Sequence, residues 1–290
     1  MSNSSIWTAP LMKPTWHNAG VLDAVKRMVR STRPAIQWIG GFDSWTSVEQ
    51  SSRGYQNDDL IKRIVTSSMA VVAGDAIAER DGVALDCLET DSMLIESLTT
   101  LLEEARFKAT PFRVLDIGGA LGTTYRQAKA ILDGSYHLHW TIVEQASLAQ
   151  IGTERLKSKE LDFVSHVTSA LLQETDLVYF GSSLCYMENA FEILDLLSAT
   201  TAETLIIERT PFARDDGGRD HHHRITQQIV DHELLGYNSR GIDSYPCYVF
   251  SKTALVKSLL PKWQLVGLQL DSMQPAFDPV HRSLLFSRRT

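Results

Sequence analysis

The sequence predicts an α/β fold in which a mostly parallel sheet ends in an antiparallel hairpin and follows a helical amino-terminal cap. Three observations predict it. From residue 112 onward, short apolar runs alternate with helical patterns, which is typical of parallel strands joined by crossover helices. The last two strand-like runs are joined by a linker too short for such a helix, so they should pair antiparallel. Residues 1–110 instead have helical or irregular patterns.

The helical cap is predicted over residues 1–110. Apolar residues recur on one face in residues 21–30, 58–82 and 91–107, which predicts amphipathic helices. Residues 33–45 contain a proline and paired glycines, which indicates an irregular segment.

The main domain is predicted over residues 111–290 and begins with five strand-like runs, each followed by a connecting segment. A sixth helical pattern, at 251–262, precedes the hairpin. Residues from about 213 to 246 are polar, and we expect them to form a lid between the fifth strand and that helix. The predicted strands are 113–118, 139–145, 162–167, 176–183, 203–210, 263–270 and 281–289.

The composition limits the class of partner. The chain has 28 Lys and Arg against 35 Asp and Glu, a net charge of −7, so no basic excess favours nucleic acid or an anionic membrane. A small molecule is the expected partner, and a homodimer is left open. Cys87, Cys185 and Cys247 are far apart and odd in number, which indicates a reducing compartment rather than a disulfide framework. Without a signal-peptide pattern or an apolar run of about 18 residues, the chain is predicted to be cytoplasmic.

The strongest motif is VLDIGGALG, a strand that runs into Gly118, Gly119 and Gly122 and then into a helix. Glycines allow a sharp turn close to a ligand, and the start of a helix supplies free N–H groups. The same turn can also serve only to pack a helix on a strand. The motif alone therefore leaves both interpretations open.

Two acidic residues favour a ligand over mere packing. Asp116 precedes the glycines where a nicotinamide-binding strand is apolar, and Glu144 ends the next strand at the separation from Gly122 expected for a ribose-binding acid. Glu144 would accept hydrogen bonds from both ribose hydroxyls, and Asp116 would lie near an ammonium group. S-adenosylmethionine (SAM) carries that group, whereas a carboxylate here would repel the diphosphate of a dinucleotide. The two acids therefore predict SAM as the ligand.

LDIGGALG, followed one strand later by VEQ, resembles the first two motifs of class I SAM-dependent methyltransferases. More narrowly, segments between Trp38 and Phe250 resemble a poorly characterised bacterial methyltransferase family. These segments are GGFDSW (40–45), GY (54–55), ERDG (79–82), GGALGTTY (118–125), WTIVEQ (140–145), SSLCYM (182–187), ERTPF (208–212) and SYPCYVF (244–250). The resemblance implies a Rossmann-like class I sheet and a SAM donor, and it implies less about the acceptor.

The donor site is expected at the carboxyl edge of the sheet and at the cap. Arg80, between Glu79 and Asp81, would hold the donor's carboxylate, or would instead form a helix-end salt bridge. The third strand ends without the acid that often meets adenine in the wider class, so Thr168, Ser169 or a backbone carbonyl would take its place. The residues predicted to bind the donor are Tyr55, Arg80, Asp116, Gly118, Gly119, Ala120, Gly122, Glu144, Gln145, Ser182 and Ser183.

The acceptor site is expected next to the ends of the fourth and fifth strands. Tyr186 would line the pocket or pack in the core, and Arg209 would line the acceptor site or form an internal salt bridge. Gln228 and Tyr245 lie in the predicted lid and match the narrower family. Leu184, Cys185, Trp38, Trp45 and Trp140 are predicted to be core residues.

Three consecutive histidines, His221, His222 and His223, lie in the predicted lid. Neighbouring side chains of an extended segment point to opposite faces, so at most two could meet one metal ion. The run is therefore interpreted as a solvated loop, as the source of a general base, or as a metal ligand. His223 is the preferred base, and no metal is assigned.

Together these features predict a methyltransferase that uses SAM to methylate an oxygen or nitrogen of a small molecule, with specialised metabolites and sugar-like molecules among the candidates. Two alternatives remain. One is a nicotinamide-dependent oxidoreductase on the same fold, against which Asp116 argues. The other is a SAM-binding protein without catalytic activity.

Overall fold

The computed structural model describes residues 34–88, 92–105, 110–132, 136–214, 223–235, 241–270 and 279–289. The strands in these residues are β1 (Ile36–Phe42), β2 (Ala78–Arg80), β3 (Val83–Leu85), β4 (Phe112–Ile117), β5 (Leu138–Val143), β6 (Leu161–Val164), β7 (Leu177–Gly181), β8 (Thr204–Phe212), β9 (Arg224–Asp231), β10 (Ile242–Val249), β11 (Trp263–Leu270) and β12 (Val280–Arg288). The helices are α1 (Trp45–Glu49), α2 (Asp58–Ala73), α3 (Met93–Ala105), α4 (Thr123–Ile131), α5 (Ala146–Arg155), α6 (Val167–Leu171), α7 (Ala190–Leu196) and α8 (Lys252–Leu259), with short 3₁₀ turns at Leu184–Tyr186 and Leu197–Ala199.

A seven-stranded sheet forms the centre of the fold, in the order β11-β12-β8-β7-β4-β5-β6. The strands from β8 to β6 are parallel, and β12 runs antiparallel to both β8 and β11. This is the class I methyltransferase arrangement, so the predicted fold class is confirmed. The strand β7, LVYFG, is buried along nearly its whole length because helices cover both faces of a parallel sheet.

Two apolar clusters lie on either side of this sheet. One contains Leu184 and Cys185, both with no exposed surface, and the other contains Trp140, also fully buried. These three predictions of core positions are confirmed. Both clusters pack against the strands whose ends carry the candidate site.

The amino-terminal region contains helices, as predicted, and also strands that the sequence analysis did not predict. Residues 36–42, expected to be irregular, form β1. The helix predicted over 58–82 ends at Gly74, whose left-handed φ of 83° allows the chain to turn back. Residues 78–85 then form the β2–β3 hairpin, with Asp81 and Gly82 as its turn. The predicted helix at 21–30 lies outside the described residues.

The predicted lid is not an extended loop in the described part. Its strands β9 and β10 pair antiparallel, and β1 pairs with the other edge of β9. This three-stranded sheet, β1-β9-β10, is called the roof sheet below. The amino-terminal cap and the lid therefore share one sheet, although they lie far apart in the sequence.

None of the helices in the described residues is both long enough and apolar enough to cross a membrane.

Candidate active site

A cavity of about 1530 Å³ lies at the carboxyl edge of the seven-stranded sheet, beneath the roof sheet. The ends of β4, β5, β7 and β8 line it, as does the segment that follows β6. Open α/β sheets bind ligands at this edge. Twelve residues predicted for the donor or acceptor line the cavity: Tyr55, Arg80, Gly118, Ala120, Glu144, Gln145, Ser182, Ser183, Tyr186, Arg209, Gln228 and Tyr245.

The glycine turn after β4 is packed against the protein itself. A Cβ atom on Gly118, which has a φ of 80°, would lie 2.4 Å from Ser183 Cβ, and one on Gly119 would lie 2.5 Å from Asp116 Oδ2. Gly118 also lines the cavity, whereas Gly119 and Gly122 do not. Gly119 packs on the buried Asp116 carboxyl, and Gly122 precedes α4 in a left-handed conformation, so their contact with the donor stays a prediction.

Asp116 is fully buried beneath this turn and is not part of the cavity lining. Trp140 Nε1 donates a hydrogen bond to its Oδ2 at 3.1 Å, and its Oδ1 has no hydrogen-bond partner among the described residues. Burial raises the pKa of this carboxyl to about 7, although the Trp140 bond opposes the shift. Asp116 therefore packs directly under the glycine turn, and its contact with the donor stays a prediction.

Glu144 lies at the end of β5 and lines the cavity, as predicted. Its Oε2 accepts a hydrogen bond from the Gln145 backbone N–H at 2.6 Å. Burial raises the pKa of Glu144 to about 7, against the lowering effect of backbone hydrogen bonds from Gln145 and Ala120. The Gln145 side chain donates to the Tyr55 carbonyl at 3.1 Å, which ties the cap to the end of β5.

Four non-glycine residues in the described part of the chain have a left-handed backbone, with φ between 48° and 65°: Asp81, Ala120, Ser182 and Arg209. All four line the cavity. Such conformations cost about 1–3 kcal/mol and tend to concentrate at functional sites. Their clustering marks this cavity as the candidate functional site, independently of any sequence motif.

Three tyrosines form one wall of the cavity. The rings of Tyr55 and Tyr245 stack with their centroids 4.3 Å apart, and Tyr186 meets both edge-on at 5.0 and 5.8 Å. The Tyr186 hydroxyl donates to Gln228 Oε1 at 2.6 Å. Burial raises the pKa of all three tyrosines, so their hydroxyls stay protonated. Tyr186 both lines the cavity and packs against the core, which resolves the alternatives left by the sequence.

Arg209 forms the internal salt bridge considered for it and also lines the cavity. Its Nη1 donates to Glu208 Oε2 at 3.1 Å while its side chain lines the cavity. Glu208 is buried and is held by further bonds from the Tyr179 hydroxyl at 2.5 Å and the Ser92 hydroxyl at 2.9 Å. The Glu208 carboxylate therefore positions the Arg209 guanidinium. Tyr179 of β7 and Ser92, just before α3, hold that carboxylate in place.

The structure does not bring His223 to the cavity. Its Nδ1 accepts a hydrogen bond from the Ser251 backbone N–H at 3.2 Å, and its ring packs on Phe191 with centroids 4.3 Å apart. The ring thus faces the residue before α8 in this structure, and the role of His223 as a catalytic base stays a prediction. His221 and His222 lie outside the described residues. Within those residues, no group of three His, Cys, Asp or Glu side chains could hold a metal ion.

Several lining residues were not predicted as site residues. Trp38 was assigned to the core, yet it lines the cavity from β1, and His281 lines it from β12 with its ring centroid 5.8 Å from that of Trp38. Glu79 also lines it, and burial raises the pKa of this carboxyl to about 7. Of the two side chains expected near adenine, Thr168 lines the cavity and Ser169 does not.

No protein-family model matches the sequence, and no curated protein is similar to it, so the narrower bacterial resemblance stays a prediction. Solved structures are similar in fold. The amino-terminal domain of EvdMO1, solved with S-adenosylhomocysteine (SAH) bound, is 11% identical over 70% of this chain and 83% of that chain, with a TM-score of 0.41. A SAM-dependent methyltransferase from Clostridium acetobutylicum is 12% identical over 65% and 89%, with a TM-score of 0.39.

LepI in complex with SAM is 13% identical over 94% of this chain and 64% of that chain, with a TM-score of 0.49. Because these TM-scores are below 0.5, the class I assignment rests on the strand order of the sheet and not on these similarities.

Proposed function

We propose that this protein is a SAM-dependent methyltransferase that methylates an oxygen or nitrogen of a small molecule. One observation carries the proposal: a single cavity joins the glycine turn and Glu144 to Tyr186, Arg209 and Gln228. Its volume of about 1530 Å³ exceeds the roughly 300–1,000 Å³ of a pocket for one drug-sized ligand. The cavity therefore has room for a donor and an acceptor together.

Several residues that line the cavity suit the donor. Glu144 offers a carboxylate to the ribose hydroxyls, and Thr168 lies in the segment where the adenine would be expected. Arg80 and Tyr55 would meet the amino-acid end, next to the Gly118 turn. When bound, SAM supplies a methyl group that is already activated by its sulfonium.

Other lining residues would orient the acceptor. We assign Gln228, Tyr245, Tyr186 and Arg209, which all line the cavity, to acceptor binding. Since the methyl group is activated, the chain mainly has to align the nucleophile and exclude water. A base is needed only when the nucleophile must lose a proton.

The test is thermal unfolding with SAM, SAH or NAD, followed by transfer of a labelled methyl group to a panel of small acceptors. At a ligand concentration 100-fold above Kd, binding stabilises the folded state by about 2.7 kcal/mol. We expect SAM and SAH to raise Tm and NAD to leave it unchanged. Equal stabilisation by NAD would favour an oxidoreductase, and SAM binding without methyl transfer to any acceptor would favour a non-catalytic SAM-binding protein.

A further inference from the structure

The roof sheet presents one row of side chains to the cavity. Trp38 on β1 and Tyr245 on β10 are both in register with Gln228 on the central strand β9. All three residues line the cavity. Directly opposite residues on antiparallel strands have Cβ atoms about 4.5–5.5 Å apart, so the Gln228 amide is flanked on both sides by an aromatic side chain.

The Gln228 amide is oriented by a hydrogen bond to its neighbour. The Tyr186 hydroxyl donates to Gln228 Oε1 at 2.6 Å, which turns the amide oxygen towards Tyr186 and the amide nitrogen away from it. The amide oxygen therefore already accepts one hydrogen bond. The amide nitrogen has no hydrogen-bond partner among the described residues, which leaves its two N–H groups for a ligand.

A second donor on the same row belongs to Trp38. Its only polar side-chain group is an indole N–H, and the Arg209 guanidinium, which lines the same cavity, has N–H donors and no acceptor. Donor groups of this kind pair with the lone pairs of an oxygen and stabilise it when it is negatively charged. An amine nucleophile would instead need acceptors for its own N–H groups, which the Gln228 amide nitrogen and the Trp38 indole do not supply.

From this geometry we infer that the acceptor is a planar molecule with an ionisable hydroxyl, of the phenol or enol class, whose oxygen is bound as an anion by Gln228. The inference rests on the proposed methyl transfer and narrows its acceptor. The hydroxyl proton goes to water when the acceptor binds. The oxygen then forms a bond to the methyl carbon as the carbon–sulfur bond breaks, and the electron pair of that bond stays on the sulfur of SAH.

The test uses 4-nitrophenol as a probe, because its phenolate absorbs visible light and its neutral form does not. The full chain is first saturated with SAH, and the probe is titrated over a range of pH. We expect the bound probe to ionise at least one pH unit below the free probe, which corresponds to about a tenfold preference for the anion. Gln228→Leu should remove most of that preference, while the exposed glutamine variant Gln264→Leu should retain it.

A comparison of two probes on the wild-type protein tests the inference even if Gln228→Leu does not fold. In the wild-type protein with SAH, 4-nitrophenol should bind at least tenfold more tightly than 4-nitroaniline, which has the same ring but an amine. Tighter binding of 4-nitroaniline, or binding of the phenol without a lowered pKa, would overturn the inference. Absence of detectable binding of either probe up to millimolar concentration would overturn it too. Failure of SAH itself to bind would instead overturn the proposed function, so the two failures are distinguishable.

Discussion

Glu144 lies at the edge of the cavity, and the protein uses only part of the hydrogen-bonding capacity of its carboxylate. The Gln145 N–H binds one of its oxygens at 2.6 Å, and burial raises its pKa to about 7. A pair of ribose hydroxyls would supply the hydrogen bonds that water provides to exposed carboxylates. The same residue would thereby select a ribose-containing ligand and would bind it best when ionised.

Replacing Glu144 should test this directly. Glu144→Gln is expected to weaken SAH binding by about 1.5–3 kcal/mol at pH 8, because charge-assisted hydrogen bonds to the ribose are lost. Calorimetric titration gives the affinity. The exposed Glu154→Gln, on α5, serves as the matched control and should bind SAH normally. Equal affinities for wild type and Glu144→Gln would exclude the ribose role.

A comparison of Gly118 with Gly74 distinguishes the effect of close packing from the effect of a left-handed backbone. Both Gly118 and Gly74 have left-handed backbones, with φ of 80° and 83°, but a Cβ on Gly74 would meet open space. We expect Gly74→Ala to cost about 1 kcal/mol of stability and to leave SAH binding intact. Gly118→Ala should cost more and should abolish SAH binding, because its Cβ would displace Ser183 at the cavity wall. Urea unfolding and calorimetry measure the two effects, and normal SAH binding by Gly118→Ala would contradict the expectation.

At the scale of secondary-structure elements, the sequence predicts those strands and turns whose positions depend on local residue patterns. The strands β4 to β8 are mostly apolar because helices bury both faces of the sheet, and this is why their positions were predictable. The glycine turn and Glu144 followed from spacing alone. The Asp81–Gly82 pair is a hairpin signal that could have revealed β2 and β3.

The roof sheet was not predictable in the same way. Its strand β9, RITQQIVD, is polar because Gln228 faces a cavity and Gln227 donates to the Ser51 carbonyl on the other side. Its strand β1 contains paired glycines and finds its partner only far along the chain. Both strands exist because of tertiary pairing, which no local pattern encodes. The position of His223 was not predictable for the same reason, since it depends on contacts with Phe191 of α7 and with the Ser251 N–H just before α8.

The roof sheet is tied to α2 by an ionic cluster. Asp243 on β10 accepts from Arg63 of α2 and from His232 Nε2, the latter at 2.7 Å. Burial alone would raise the pKa of Asp243, but the His232 bond and the Arg63 charge hold it below its ordinary value. Its contribution to stability is therefore present at neutral pH and is lost only as the pH falls through this lowered pKa.

We expect Asp243→Asn to lower the free energy of unfolding by about 1–3 kcal/mol at pH 7, because it leaves Arg63 without its carboxylate. The matched control is Asp59→Asn on the same helix, whose partner Lys62 is 3.9 Å away on the surface. That change should cost less than about 1 kcal/mol. Urea unfolding measures both variants, and equal losses would show that the cluster does not hold the roof sheet.

At the scale of the whole molecule, carboxyl groups gather around the cavity in a chain whose net charge is already −7. Glu79 and Glu144 line the cavity, and Asp116 lies under its floor. Burial raises the pKa of each of the three to about 7. At neutral pH, the empty protein therefore holds partly ionised carboxylates in a poorly solvated place. The sulfonium and ammonium charges of SAM would offset this excess.

This distribution of charge predicts how stability depends on pH. A carboxyl whose pKa is raised by folding binds more protons in the folded state, so its contribution to stability is present below the unfolded pKa and is lost as the pH rises through about 7. We expect the ligand-free protein to lose unfolding free energy between pH 5 and pH 8, on the order of 1–3 kcal/mol for each such group. Urea unfolding at the two pH values measures the loss.

Glu79→Gln, which cannot ionise, should lose less over this interval than the wild type, whereas Glu154→Gln should match the wild type. An identical loss in Glu79→Gln and the wild type would show that Glu79 is already ionised in the folded protein at pH 5.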